Sequence, residues 1–192
     1  YFINNKEDLA DALRNAFRIA NEGRKGPVLV DITKDVTDAL VEYEPAAPYP
    51  LRRTEIADCE NKTEKFAKYL NGAKKPVIIT GGGVISSDSY KEVMELADKA
   101  DIPMVTTLMG MGAVPSSEKK YFGMVGMHGS YAANKCVSEA DVILALGTRF
   151  SDRVALKPEH FARKARILQV EIDKSEVNKN VTVADSIIGD CR

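Results

Sequence analysis

"KKPVIITGGGV", residues 74–84, sets a short apolar run against three consecutive glycines. Residues 76–80 are rich in β-branched groups and too short for a helix, so they read as a buried strand. Gly81, Gly82 and Gly83 then turn the chain sharply out of it. The same grammar recurs downstream. A helix is predicted over about 88–99, with Tyr90, Val93, Leu96 and Ala97 on one face. "PMVTT" (103–107), "VILALG" (142–147), "ILQVEID" (167–173) and "SIIG" (186–189) read as further strands, and a glycine-rich loop and a helix from about 130 lie between the first two of these. Short apolar strands alternating with helices predict an α/β fold, a parallel sheet with helices on both faces.

Working back toward the N-terminus, Leu9, Ala12, Leu13, Ala16, Phe17 and Ala20 repeat at helical spacing, which predicts a helix over 7–22 ended by Gly23. "PVLVDI" (27–32) reads as a strand. One helix and one strand are too few to close a core, so residues 1–35 are expected to be the tail of a preceding domain. Pro45, Pro48 and Pro50 make 36–54 a stiff linker. A new domain is expected over 55–192, opening with a helix over about 56–71. The chain starts at Tyr1 and stops at Arg192 just after a strand, and it reads as a piece of a longer protein.

The 192 residues carry a formal net charge of −1 and are 44% hydrophobic. That balance argues against a nucleic-acid partner, which needs a basic face. No apolar run reaches the roughly 18 residues of a membrane span, so no membrane association is expected. Cys59, Cys136 and Cys191 are odd in number and far apart, which fits free thiols in a reducing cytoplasm.

In an open parallel sheet, ligands bind outside the carboxyl ends of the strands. Here those ends carry Gly81, Gly82 and Gly83, then Thr107 and Leu108, then Gly147, Thr148 and Arg149, then Glu171, Ile172 and Asp173, then Gly189 and Asp190. Glycines and arginine suit phosphates, and carboxylates suit ribose hydroxyls. The dinucleotide pattern is nonetheless imperfect: Ser86 stands at the third glycine position, and the second strand ends in Thr107 rather than an acid. A tight strand-to-helix turn explains the three glycines equally well. His128, between Gly126 and Gly129, has no neighbouring metal ligand and no serine nucleophile to serve. The glycines around it strip a loop bare for something planar to approach. "GTRFSDRV" (147–154) is either a solvated loop with an internal ion pair or a source of one arginine for a phosphate. Such a charge-assisted bond is worth about 1.5–3 kcal/mol.

Six stretches carry a resemblance: "GRKGPVLVDITKDV" (23–36), "KKPVIITGGGV" (74–84), "TTLMGMGAVP" (106–115), "FGMVGMHGSYAANKCV" (122–137), "GTRFSDRV" (147–154) and "EIDKSEVNKN" (171–180). In this order and spacing they resemble the catalytic subunits of acetohydroxyacid synthase (acetolactate synthase), a thiamine-diphosphate-dependent family. The resemblance covers the end of the pyrimidine-binding domain and most of the Rossmann-like central domain. It implies that the central domain holds FAD in a mainly structural role. The flavin set it implies is Arg24, Gly81, Gly82, Gly83, Thr107, Leu108, Gly126, Met127, His128, Gly147, Arg149, Asp152, Arg153, Val154, Glu171, Ile172 and Asp190. Lys34 and Arg153 match residues near the family's substrate channel, and no catalytic or metal-binding residue falls within this stretch. Ser151 replaces an aspartate usual in the family, and Lys25 and Thr33 replace frequent prolines.

The resemblance further implies thiamine diphosphate and magnesium bound elsewhere in the parent enzyme. It implies a parent homodimer or tetramer and a regulatory small subunit. The parent reaction would decarboxylate pyruvate and condense the two-carbon unit with pyruvate or 2-oxobutanoate, a step in branched-chain amino-acid synthesis. Two other readings stay open: the central domain of another thiamine enzyme, such as glyoxylate carboligase or a pyruvate oxidase, and a stand-alone nucleotide-binding module.

Overall fold

The computed structural model describes residues 1–51 and 59–192. The chain divides into two units, Tyr1–Thr54 and Glu55–Arg192. In the first, β1 (Phe2–Ile3) leads through a 3₁₀ turn at Lys6–Asp8 into α1 (Leu9–Asn21), with the Asn5 side chain accepting the Glu7 N–H at 3.3 Å as a cap. Gly23 takes a φ of +51°, the left-handed conformation that turns the chain after a helix at little steric cost. β2 (Asp31–Ile32) pairs parallel with β1, and α2 (Lys34–Asp38) follows. A small core forms from Ile3, Ala12 and Val36, with Leu9, Val30 and Ile32 packed against it.

Two expectations change here. The strand read over 27–32 shrinks to Asp31 and Ile32, because a strand needs a paired neighbour and β1 offers only Phe2 and Ile3 in register. Val36, read as the start of the linker, is 5% exposed and belongs to the core. Residues 39–51 form neither helix nor strand and run along α1. Lys6 Nζ donates to the Leu40 carbonyl at 2.7 Å, and the Tyr49 hydroxyl donates to Asp11 Oδ1 at 3.1 Å. A cavity of about 730 Å³ remains beside α1, with Leu13, Phe17, Tyr43 and Tyr49 in its wall.

The second unit contains α3 (Cys59–Gly72), β3 (Pro76–Thr80), α4 (Gly82–Ser86), α5 (Tyr90–Ala100), β4 (Met104–Thr106), β5 (Tyr121–Met124), α6 (Tyr131–Glu139), β6 (Val142–Leu146), β7 (Arg166–Glu171) and β8 (Asp185–Ile188). The opening helix read over 56–71 has its first residues outside the described ones. The sheet order is β5-β4-β3-β6-β7-β8, and every pairing is parallel. This is the doubly wound order, with the switch point between β3 and β6.

The sheet is buried on both faces because its strands alternate two apolar sets. On β3, Ile78 packs in the layer with Phe66, Val84, Val93 and Ala97 of α3, α4 and α5. Val77 and Ile79 pack in the opposite layer, with Ala133 and Val137 of α6. β5 was not expected from the sequence. It is an edge strand, half-exposed, and its register with β4 shifts between Met104 and Thr106. Gly123 within it takes a φ of +97°, as a bulge permits.

Asp141 joins two connections of this unit. Its carboxylate accepts the N–H groups of Lys74 at 2.7 Å and Lys75 at 2.9 Å, tying the start of β6 to the α3–β3 turn. Burial raises its pKa, but these backbone bonds outweigh burial and hold it below the ordinary carboxylate value. A depressed carboxyl stabilises the fold above its unfolded pKa of about 3.9 and loses that contribution as pH falls through the lower folded value. Asp141→Ala should therefore cost about 1–2 kcal/mol at neutral pH. Urea unfolding of both proteins checks this: the gap should narrow toward about pH 2, and a gap independent of pH would place the stabilisation elsewhere.

Candidate functional site

The glycines after β3 meet the end of β6 at the switch point. Gly81 N–H donates to the Leu146 carbonyl at 2.8 Å, and Gly83 N–H to the Gly147 carbonyl at 3.0 Å. A Cβ on Gly81 would lie 2.1 Å from Gly147 O, and one on Gly83 would lie 2.5 Å from Gly147 Cα. Positions 81 and 83 are thus glycine because two strand ends close on each other. Gly82 differs, since a Cβ there would first meet Met109, at 3.1 Å.

The loop after β4 lies beside them. Thr107, read as the last strand residue, instead caps a 3₁₀ turn at Leu108–Gly110, its Oγ1 accepting the Gly110 N–H at 3.2 Å. Leu108 and Met109 are left 62% and 75% exposed, an apolar surface at the rim of the sheet.

The loop after β5 carries Gly126, Met127 and His128. Its glycines do not leave a bare face. A Cβ on Gly126 would lie 2.3 Å from Arg153 O, and one on Gly129 would lie 2.3 Å from Met124 O. Met127 N–H donates to the same Arg153 carbonyl at 2.8 Å. Residues 126–128 and 147–154, separate motifs in the sequence, are therefore one structure. Met127 and His128 themselves are exposed. Among the described residues no group of three or more His, Cys, Asp or Glu could hold a metal ion.

After β6, Phe150 is buried while Arg149, Asp152 and Arg153 are exposed and Val154 is half-buried. The ion pair internal to the motif joins Arg153 to Asp152. Arg149 stands apart from it: its guanidinium lies 4.0 Å from Glu176 Oε1, and its carbonyl accepts the Asn180 side-chain N–H at 3.2 Å. Glu176 is 5% exposed and also pairs with Lys179 at 2.9 Å.

At the end of β7, Glu171 is 6% exposed and its Oε1 accepts the N–H groups of Ile172 at 3.0 Å and Asp173 at 3.3 Å. Gly189 N–H donates to the Glu171 carbonyl at 2.9 Å, which brings the exposed Asp190 to the same end of the sheet. Burial, then Asp190 and Glu171, pushes the Cys191 thiol up to about 12. Arg24 and Lys34 lie in the first unit, both exposed, with Lys34 opening α2. His160 ends an exposed 3₁₀ turn at Pro158–His160.

Residues 63–192 match the family model described as "Thiamine pyrophosphate enzyme, central domain". The chain belongs to this family. Over its full length it is 39% identical to the acetolactate synthase large subunit of Corynebacterium glutamicum, spanning 31% of that protein. It is 40% identical to acetolactate synthase isozyme 1 large subunit of Escherichia coli, over 93% of this chain and 32% of that one. The chain thus spans about a third of the curated relatives it matches. Among solved structures, benzoylformate decarboxylase from Polynucleobacter necessarius superposes with a TM-score of 0.81 at 19% identity, covering all of this chain and 36% of that one. That likeness speaks for the fold. The central-domain match accounts for the sheet and its loops. It leaves Ser130, Asn134 and Glu176 as site-supporting residues that the sequence reading did not single out. Of these, Ser130 alone had a local signal, a serine immediately before a helix.

Proposed function

We propose that residues 55–192 are the FAD-holding, non-catalytic central domain of an acetolactate synthase large subunit. Residues 1–35 would then be the end of its pyrimidine-binding domain and 36–54 the connection, with α2 bridging that boundary. The parent would convert pyruvate to acetolactate, or condense its two-carbon unit with 2-oxobutanoate, in the cytoplasm. Thiamine diphosphate and magnesium would be held by parts of the parent beyond these residues. A homodimeric or tetrameric parent and a regulatory small subunit belong to the same reading. So do Lys34 and Arg153 at the substrate channel and Arg24 on the flavin.

One observation supports the flavin part most: at the carboxyl ends of the strands, backbone hydrogen bonds join the loops after β3 and β5 to the end of β6 and its loop, and the loop after β4 lies against Gly82. Their chemistry fits a flavin dinucleotide. Gly82 is the glycine we assign to the diphosphate, because Gly81 and Gly83 spend their N–H groups on β6. Arg149 supplies a cation, and Glu171 supplies a carboxylate whose orientation two N–H groups fix in advance. Leu108, Met109 and Met127 offer exposed apolar surface that an isoalloxazine ring would cover. Bound there, FAD would hold these loops together, and the synthase reaction has no net redox step for it to perform.

Titration of the chain with FAD, followed by flavin fluorescence, tests this. Weak but saturable binding is expected. Arg149→Ala should weaken it about 10- to 100-fold, because a charge-assisted bond is worth ~1.5–3 kcal/mol and 1.4 kcal/mol is tenfold. His160→Ala should bind like wild type. Equal affinity of wild type and Arg149→Ala would remove Arg149 from the site, and no wild-type binding would sink the flavin reading.

A further inference from the structure

We infer that Asn134 is a positioning residue that pre-forms the Gly126 loop for the flavin. The inference rests on the flavin reading above and extends it to a residue outside the set read from the sequence. Asn134 sits on α6, half-buried, and its side chain grips both backbone groups of Gly126. Its Oδ1 accepts the Gly126 N–H at 2.9 Å, and its Nδ2 donates to the Gly126 carbonyl at 3.0 Å. The amide thus replaces the paired strand that Gly126, just beyond β5, no longer has.

The grip matters because Gly126 is held in an unusual place. Its φ is +114°, open to glycine and costly for other residues. Its missing Cβ makes room for Arg153 O, to which the next residue, Met127, donates its N–H. A physical chain therefore runs from α6 through Asn134 and Gly126 to the loop that carries Arg153. Ser130 repeats the device one turn earlier on the same face. Its hydroxyl accepts the Ala133 N–H at 3.0 Å and donates to the Phe122 carbonyl at 2.7 Å. Spaced four apart, the two side chains lash residues 122–126 to a helix that is itself anchored on the sheet.

An asparagine within a helix is a poorer choice than alanine on propensity alone. Its presence is explained by the loop it holds. A loop ordered before the ligand arrives spares binding the cost of ordering it. The alternative is that Asn134 merely stabilises the fold, and the two roles differ in what they move.

Asn134→Ala separates them. Three readouts on the 192-residue chain are needed: thermal unfolding, amide hydrogen exchange at 126–129 without FAD, and FAD affinity. The expected result is an unfolding midpoint within a few degrees of wild type, exchange at 126–129 at least about tenfold faster, and FAD binding about tenfold weaker. Asn134→Asp keeps the acceptor for Gly126 N–H but turns a carboxylate oxygen toward the Gly126 carbonyl in place of the donor, so it should also loosen the loop and weaken FAD binding. It also stands in if the alanine variant does not fold. Unchanged exchange, or unchanged FAD affinity against a wild type that binds, overturns the inference. If wild type does not bind FAD, the flavin reading fails and this role for Asn134 with it. Fast exchange in Asn134→Ala would then identify a loop clamp that serves the fold alone.

Discussion

Gly81→Ala should abolish folding of the second unit or lower its stability by at least about 3 kcal/mol, the upper end of the usual cost of overpacking. The reason is steric and local. β3 and β6 run in register up to the Thr80–Leu146 pair, and both strands then pass into glycines. The added methyl carbon would sit 2.1 Å from Gly147 O and 2.7 Å from Thr148 Cβ. Neither neighbour is the flexible tip of a side chain, so relief would require moving the ends of the two central strands. Backbone strain plays no part, because Gly81 has a φ of −103°, which any residue adopts. Gly112→Ala is the control: it has a φ of +95° and nothing within 4 Å of the added carbon. It should lose only the roughly 1–2 kcal/mol of a left-handed alanine. Urea unfolding of both variants decides the matter. A Gly81→Ala midpoint close to wild type would mean that the strand ends can part without penalty, and the switch point would then be looser than the geometry implies.

The same glycines mark what a sequence can and cannot say here. β3, β4, β6 and β7 were legible because strands buried on both faces must be nearly continuous apolar runs, and "PVIIT" or "VILALG" has few other uses in a chain of this composition. β5 was hidden because an edge strand need not be apolar on both sides, and Gly123 breaks its pattern at the bulge. For the site, the glycine signal was real but ambiguous. A glycine that admits a phosphate and one that admits a neighbouring carbonyl look alike in sequence. Gly81, Gly83, Gly126 and Gly129 prove to be crowded first by the chain itself. Asn134 and Glu176 were invisible for a different reason. Their partners, Gly126 and Arg149, lie on other elements, and no local spacing announces a bond made through the fold.

Phe150→Ala should couple the core to the site. Phe150 is 1% exposed and stands edge-on to Phe161, with ring centroids 5.6 Å apart. It lies between Arg149 and the Asp152–Arg153 pair, all exposed, so one buried ring anchors a loop whose charged groups face outward. Truncating a buried phenylalanine costs about 3–5 kcal/mol through lost burial and the cavity left behind. On the flavin reading, the loosened loop would also release the Arg153 carbonyl from Met127 and the Arg149 carbonyl from Asn180, so FAD affinity should fall by more than tenfold. Two further variants divide the causes. Phe150→Leu keeps most of the packing and should recover most of both losses. Phe150→Gly leaves the same cavity but relieves the φ of 53°, so it should be as stable as Phe150→Ala or up to about 1 kcal/mol more so. Urea unfolding and FAD titration on the wild type and the three variants give the answer. A large stability loss with wild-type affinity would show that the loop is held by its backbone bonds to Met127 and Asn180 alone. A loss below about 1 kcal/mol would remove Phe150 as the anchor altogether.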